Sequence, residues 1–146
     1  MSLMKNLSGD TLIAATIKGF LDSNEYHYDF DAEKCVFTMG FTLDNDKVNV
    51  RIVYNEEKEW FCVFVYPSHN IPKNKIDKVL PILNQINYDI LFGSIYVDPR
   101  DGELAVRCSA SVDNRSINET MVGVMLSTAI NVVDDHINDI MKALYA

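Results

Sequence analysis

Residues 35–66, CVFTMGFTLDNDKVNVRIVYNEEKEWFCVFVY, decide the fold. Cys35, Phe37, Met39, Phe41 and Leu43 alternate with Val36, Thr38, Gly40 and Thr42. A strand turns successive side chains to opposite faces, so this period of two reads as a strand with one face on a core. Asp44, Asn45 and Asp46 then supply turn chemistry, because Asp and Asn side chains hydrogen-bond their own backbone. In a second strand Val48, Val50, Ile52 and Tyr54 alternate with Asn49 and Arg51. Asn55 to Lys58 turns the chain again, and Trp60 to Tyr66 makes a third strand. Loops this short join antiparallel neighbours, so the block is a three-stranded meander.

Upstream of it, a helix is expected from Asp10 to Ser23, capped by Ser8 or Asp10 and ended by Asn24. Leu12, Ile13, Ile17, Phe20 and Leu21 fall on one side of it, interrupted by Thr16. Downstream, the stretch from Pro67 to Asn70 breaks the strand and Pro72 opens a second helix, where its missing N–H costs nothing. Ile76, Val79, Leu80, Leu83, Ile86, Asn87 and Ile90 continue at helical spacing. Pro81 removes the bond to the Asp77 carbonyl and either kinks this helix or divides it in two. Leu91 to Val97 reads as a fourth strand, and Asp98 to Gly102 as a hairpin turn in which Pro99 presets φ and Gly102 takes positive φ. Leu104, Val106, Cys108 and Ala110 alternate along a fifth strand. The last helix is expected from Ser116 to Leu144, with one core stripe through Val122, Leu126, Ala129, Val133, Ile137, Ile140 and Leu144.

The order α-βββ-α-ββ-α predicts an α+β domain of two layers over residues 1–146, with helices on one five-stranded antiparallel sheet. Residues 1–3 read as an expression scar ahead of Met4. A chain of this length buries enough surface to need neither metal nor disulfide. One feature conflicts with a simple two-layer domain. The third strand is apolar on both faces and the fourth nearly so, whereas a sheet covered on one side alternates apolar and polar. Ile117, Met121, Met125 and Val132 likewise widen the apolar face of the last helix in its first half. Taken together, these surpluses point to self-association or a partner.

The formal charge is −8 and the isoelectric point about 4.7. That argues against nucleic acid, whose affinity comes from basic patches releasing counterions, and against anionic membranes. No apolar run spans a bilayer, and residues 1–12 contain nothing like a signal peptide. Cys35, Cys62 and Cys108 are odd in number, fit no zinc spacing and sit in apolar runs, so reduced thiols and a cytoplasmic location are expected.

Motifs for phosphate loops, dinucleotide binding, zinc proteases and serine hydrolases are absent. His136, Asp135 and Asp139 lie together on the last helix but off its buried side, and read as a solvated face. Asp44 and Asp46 begin like a calcium loop, which fails at the required Gly and at Asn55 in the twelfth position. Lys73, Lys75 and Lys78 read as the wet face of the second helix. An enzyme would need residues from distant segments, such as His69 with Asp98 or Asp101, and ranks last. No catalytic residue, metal or cofactor is expected.

Residues 83–107, LNQINYDILFGSIYVDPRDGELAVR, resemble the central motif of YbjN-domain proteins. There a helix opened by Pro, here Pro72, runs into an Asn-ending segment, then a Phe-Gly strand, an Asp-Gly hairpin and a further strand. The element order is similar to that of the type III secretion chaperone-like fold. The resemblance implies a small acidic cytoplasmic homodimer that holds an extended segment of an effector without catalysis. It also implies a looser alternative, a sensory-transduction regulator that binds a small ligand or signalling partner. A ligand pocket would then lie between the sheet and the last helix. The leading expectation is a non-catalytic, chaperone-like protein-binding module that takes its partner by strand addition or in a groove. Trp60, Phe64, Met121 and Met125 are its candidate contacts. In secretion chaperones the middle helix often builds the dimer, which makes Ile76, Val79 and Leu83 interface candidates.

Overall fold

The computed structural model describes residues 12–113 and 116–146; the expected caps Ser8 and Asp10 and residues 1–3 lie outside them. The elements are α1 (Leu12–Ser23), β1 (Asp29–Asp31), β2 (Val36–Thr42), β3 (Lys47–Asn55), β4 (Trp60–Pro67), α2 (Ile76–Asp89), β5 (Ser94–Val97), β6 (Leu104–Ser111) and α3 (Glu119–Leu144). All six strands pair antiparallel in one sheet, in the order β1-β2-β3-β4-β6-β5. The fold is α+β, with helices on one face of the sheet.

Four boundaries differ from expectation, each for a local reason. The sheet has six strands, not five, because β1 is only Asp-Phe-Asp and too short to display a period. Its one apolar residue, Phe30, stacks on Phe37 with ring centroids 4.3 Å apart. β5 begins at Ser94 rather than Leu91, since Gly93 at φ 79° turns the chain and leaves Leu91 90% and Phe92 70% exposed. α3 begins at Glu119 rather than Ser116, where the Asn118 side chain accepts from the Met121 N–H at 2.9 Å. α2 begins at Ile76 rather than Pro72, because Lys73–Lys75 forms a separate tight turn in which the Lys75 N–H donates to the Pro72 carbonyl at 2.8 Å; Pro81 lies inside α2 without dividing it.

Register explains which side chains meet the core. Val48, Val50, Ile52 and Tyr54 of β3 point inward and are buried, while Asn49 and Arg51 point outward and are exposed. β4 turns Phe61, Val63 and Val65 inward, all at 0% exposure. α1 and α3 pack on this inner face through Ile13, Ile17, Leu21, Val122, Ala129, Val133 and Ile137. α2 contacts β5 and α3, with Ile76, Val79 and Leu83 turned into the same core. The β2–β3 turn is tied to α3: the Asn45 N–H donates to Asp134 Oδ1 at 3.1 Å, and Asn138 Nδ2 donates to Asn45 Oδ1 at 2.8 Å.

Candidate protein-binding surface

The sheet's second face carries no helix or strand among the described residues. β4 is central, so its outward row of Trp60, Cys62, Phe64 and Tyr66 crosses the middle of this face. Trp60, Phe64 and Tyr66 are partly exposed, and the Phe64 and Tyr66 rings stack at 6.3 Å. That accounts for a strand apolar on both sides: one row is core and the other lines an open surface. Register sets two cations beside the stripe. Phe64 lies opposite Arg51 on β3 and opposite Arg107 on β6. Both arginines are exposed, and neither pairs with a carboxylate among the described residues. Arg107 instead stands over the Tyr96 ring at 5.3 Å.

Two depressions mark the open face. One, of about 480 Å³, lies between Val53, Trp60, Cys62, Phe64, Arg107 and Ala110. The other, of about 700 Å³, is more polar and is lined by His27, Asp29, Asn49, Arg51, Tyr66 and Glu103 around Gly40. Burial pushes the Tyr66 and Tyr96 hydroxyls above their ordinary range, against the pull of Arg51 and Arg107 respectively. Burial likewise pushes the Cys62 thiol up to about 11, with Arg107 offsetting it in part.

The two outermost strands are short: β1 covers only Val36–Thr38 of β2, and β5 covers only Leu104–Arg107 of β6. β1 is three residues long and carries Asp at each end, which discourages pairing. On β5, Asn87 of α2 occupies the edge: its Nδ2 donates to the Ile95 carbonyl and its Oδ1 accepts from the Ile95 N–H, both at 2.8 Å. One side-chain amide thus satisfies both backbone groups of Ile95.

The sequence-derived contact candidates divide. Trp60 and Phe64 share the open face. Met121 is partly buried against the core from α3, and Met125, 7% exposed, packs within it, so these two are not brought to Trp60 and Phe64. Ile76, Val79 and Leu83 are at most 8% exposed and pack inward within the single subunit. The apolar residues that do stand out near α2 are Leu80, Tyr88, Leu91 and Phe92. Sequence reading missed Arg51, Tyr66 and Arg107, because their meeting depends on the pairing of three strands. The outward positions of β3 and β6 were legible from their alternation.

The polar clusters have structural work. His69 lies near neither Asp98 nor Asp101 in any hydrogen bond; its Nδ1 is 3.2 Å from Asp46 Oδ2. Ser68 hydrogen-bonds the same carboxylate, and its Oγ is 3.3 Å from His69 Nδ1. A Ser-His-Asp relay needs opposite ring nitrogens facing acid and nucleophile, and here one nitrogen faces both. The cluster latches the β2–β3 turn to the end of β4. Burial raises the Asp46 pKa, but hydrogen bonds from Ser68, His69 and the Lys47 N–H outweigh it and hold the carboxyl below its ordinary value. Among the described residues no group of three or more His, Cys, Asp or Glu side chains could hold a metal ion. No described helix is long and apolar enough to cross a membrane.

No curated protein sequence matches the chain. Among solved structures it is similar to YbjN from E. coli, at TM-score 0.63 and 14% identity over 90% of this chain and 89% of that one. It is also similar to a chain of the HopA1–SchA chaperone–effector complex, at TM-score 0.51 and 14% identity over 92% of this chain and 94% of that one. A third likeness is to the structure of the Yersinia pestis type III secretion chaperone SycH with a stable fragment of YscM2. There the TM-score is 0.54 and the identity 13%, over 82% of this chain and 96% of that one. At such identities the likeness is one of fold, and the α+β arrangement is that of the secretion chaperones. In sequence, residues 14–141 match YbjN, described as "Putative bacterial sensory transduction regulator". That match runs from α1 into α3 and takes in every strand, and the chain belongs to the YbjN family.

Proposed function

We propose that this protein is a non-catalytic binding module that holds a segment of a partner protein against the uncovered face of its sheet. The observation that carries this reading is the stripe of Trp60, Phe64 and Tyr66 on a central strand with no helix or strand over it among the described residues. Exposed aromatic rings on a rigid sheet are the usual anchors of protein contacts, offering large area at little entropic cost. The aromatic stripe lies mid-sheet and not at an edge, which favours the face over strand addition, the other route open to an extended segment. Photocrosslinking in the native cell tests it. A crosslinking residue at position 64 should form adducts with a discrete protein, and one at exposed Asp77 on α2 should not. Equal labelling from both positions, or none from position 64, overturns the reading.

The same proposal includes a homodimer. Its support is the exposed group Leu80, Tyr88, Leu91 and Phe92 beside α2, since Ile76, Val79 and Leu83 already serve the subunit core. Light scattering across a dilution series should give twice the chain mass, and Leu91→Ser with Phe92→Ser should halve it. A monomer at every concentration removes the dimer from the proposal.

A second reading, a regulator that takes a small polar ligand, has one observation in its favour. Gly40 stands mid-strand at the floor of the polar groove, where an added Cβ would meet only ordinary contacts at 3.6 and 3.7 Å. The fold therefore does not need a glycine there, and glycine inside a strand costs stability unless something approaches closely. Gly40→Ala should raise stability by about 0.5 kcal/mol. A ligand whose thermal stabilisation of the wild type is lost in that variant would establish the groove as its site.

A further inference from the structure

We infer that the segment held on the open face is an amphipathic helix whose apolar stripe is bordered on both sides by carboxylates. The inference rests on the open face being the contact surface and adds what its occupant must look like.

Charge is the first argument. The chain carries −8 overall, yet the outward positions of the sheet strands bear Lys47, Arg51 and Arg107 against two carboxylates, Asp29 and Asp31, both confined to the β1 edge. Glu103 stands at the rim of the polar groove, one residue before β6. Arg51 and Arg107 flank Phe64 directly and have no carboxylate partner among the described residues. An occupant whose apolar anchor covers Phe64 places its own flanks over these two guanidiniums, each suited to a bidentate carboxylate contact.

Shape is the second. Arg51 and Arg107 lie one strand to either side of β4, so they stand roughly 10 Å apart. A helix with its side chains is about 10–12 Å across and can set acids on both margins of one apolar stripe. A lone extended strand cannot, because its side chains on one face form a single row. An extended segment laid on the face would also leave its backbone groups without partners, since a sheet turns side chains and not its ladder groups out of its face. A helix satisfies its own.

The test uses designed peptides on the full chain, with Trp60 as the reporter, since the chain contains 1 Trp. Each peptide lacks Trp and is about 18 residues long, or about five helical turns. The first has a Leu/Phe stripe bordered by Glu. The second has the same stripe bordered by Lys. The third is the first with its order scrambled so that no stripe forms. Non-specific attraction to an acidic protein would favour the Lys peptide. The inference requires the opposite: the Glu peptide should shift Trp60 emission and bind at least about tenfold tighter than the Lys peptide, with the preference fading at high salt. The combined variant Arg51→Glu, Arg107→Glu, checked for an unchanged melting curve, should reverse the order. Equal binding of the Glu and Lys peptides, with Trp60 responding to both, overturns the acidic flanks while leaving the open-face reading in place. Equal binding of the scrambled peptide overturns the helix. Silence of Trp60 toward all three overturns the open-face reading itself.

Discussion

At the scale of single residues, Gly102 is the most constrained position described. Its φ is 79°, and an added Cβ would lie 1.8 Å from the Ile71 carbonyl oxygen. The Ile71 N–H also donates to the Gly102 carbonyl at 2.8 Å, so the hairpin tip is locked to the segment before α2. Gly102→Ala should cost on the order of 3 kcal/mol in chemical denaturation, since both the backbone conformation and the contact are lost. Cys62 offers a second measurement. It is 4% exposed and its thiol is raised to about 11, so little thiolate exists near pH 8. Alkylation of the native protein followed by mass spectrometry should leave Cys62 unmodified, and denaturant should restore its reactivity. Asp46 gives a pH test. Its folded pKa lies below the unfolded value of about 3.9, so its contribution is fully present above that value and is lost as pH falls through the folded pKa. The stability lost in Asp46→Asn should therefore be largest above about pH 4 and shrink on further acidification. The glycine turn was legible in the sequence. The Asp46 latch was not, because Ser68 and His69 reach it across a strand.

At the scale of elements, the edge of β5 illustrates what a pattern conceals. Asn87 continues the apolar spacing of the second helix, and that spacing alone does not name its partner. The structure gives it two hydrogen bonds to Ile95, the equivalent of one more strand. Asn87→Ala leaves both backbone groups of Ile95 unpaired and should cost about 1–3 kcal/mol. Faster hydrogen exchange at the Ile95 amide would accompany it, and Asn87→Asp, which can still accept from that N–H, should restore the amide protection in part. The long strands and helices were legible because each is long enough to show its period. β1 was not, since three residues with one apolar member have no period to read. Leu91 and Phe92 read as strand in the sequence, and the positive φ of Gly93 excludes them from it.

For the whole molecule, the two faces of β4 make the clearest contrast. Phe61 points into the core at 0% exposure, and Phe64 points outward and is partly exposed. Phe61→Ala should cost about 3–5 kcal/mol, the usual range for emptying a buried aromatic site. Phe64→Ala should cost about 1 kcal/mol or less, because its ring is already partly in water. Equal losses would mean that both faces are core, and would remove the surface on which the proposed function rests. By itself the sequence determined the local periods, the turns, the α+β class and the presence of more apolar surface than one layer of helices can bury. Those properties depend on neighbours a few residues apart along the chain. Only the tertiary structure decided where that surplus goes. Strand order made β4 central, α1 and α3 took one face, and register set Arg51 and Arg107 on either side of Phe64. The physical reason is that a strand's alternation says which residues share a face, whereas pairing across the sheet decides which of them meet and which face stays open.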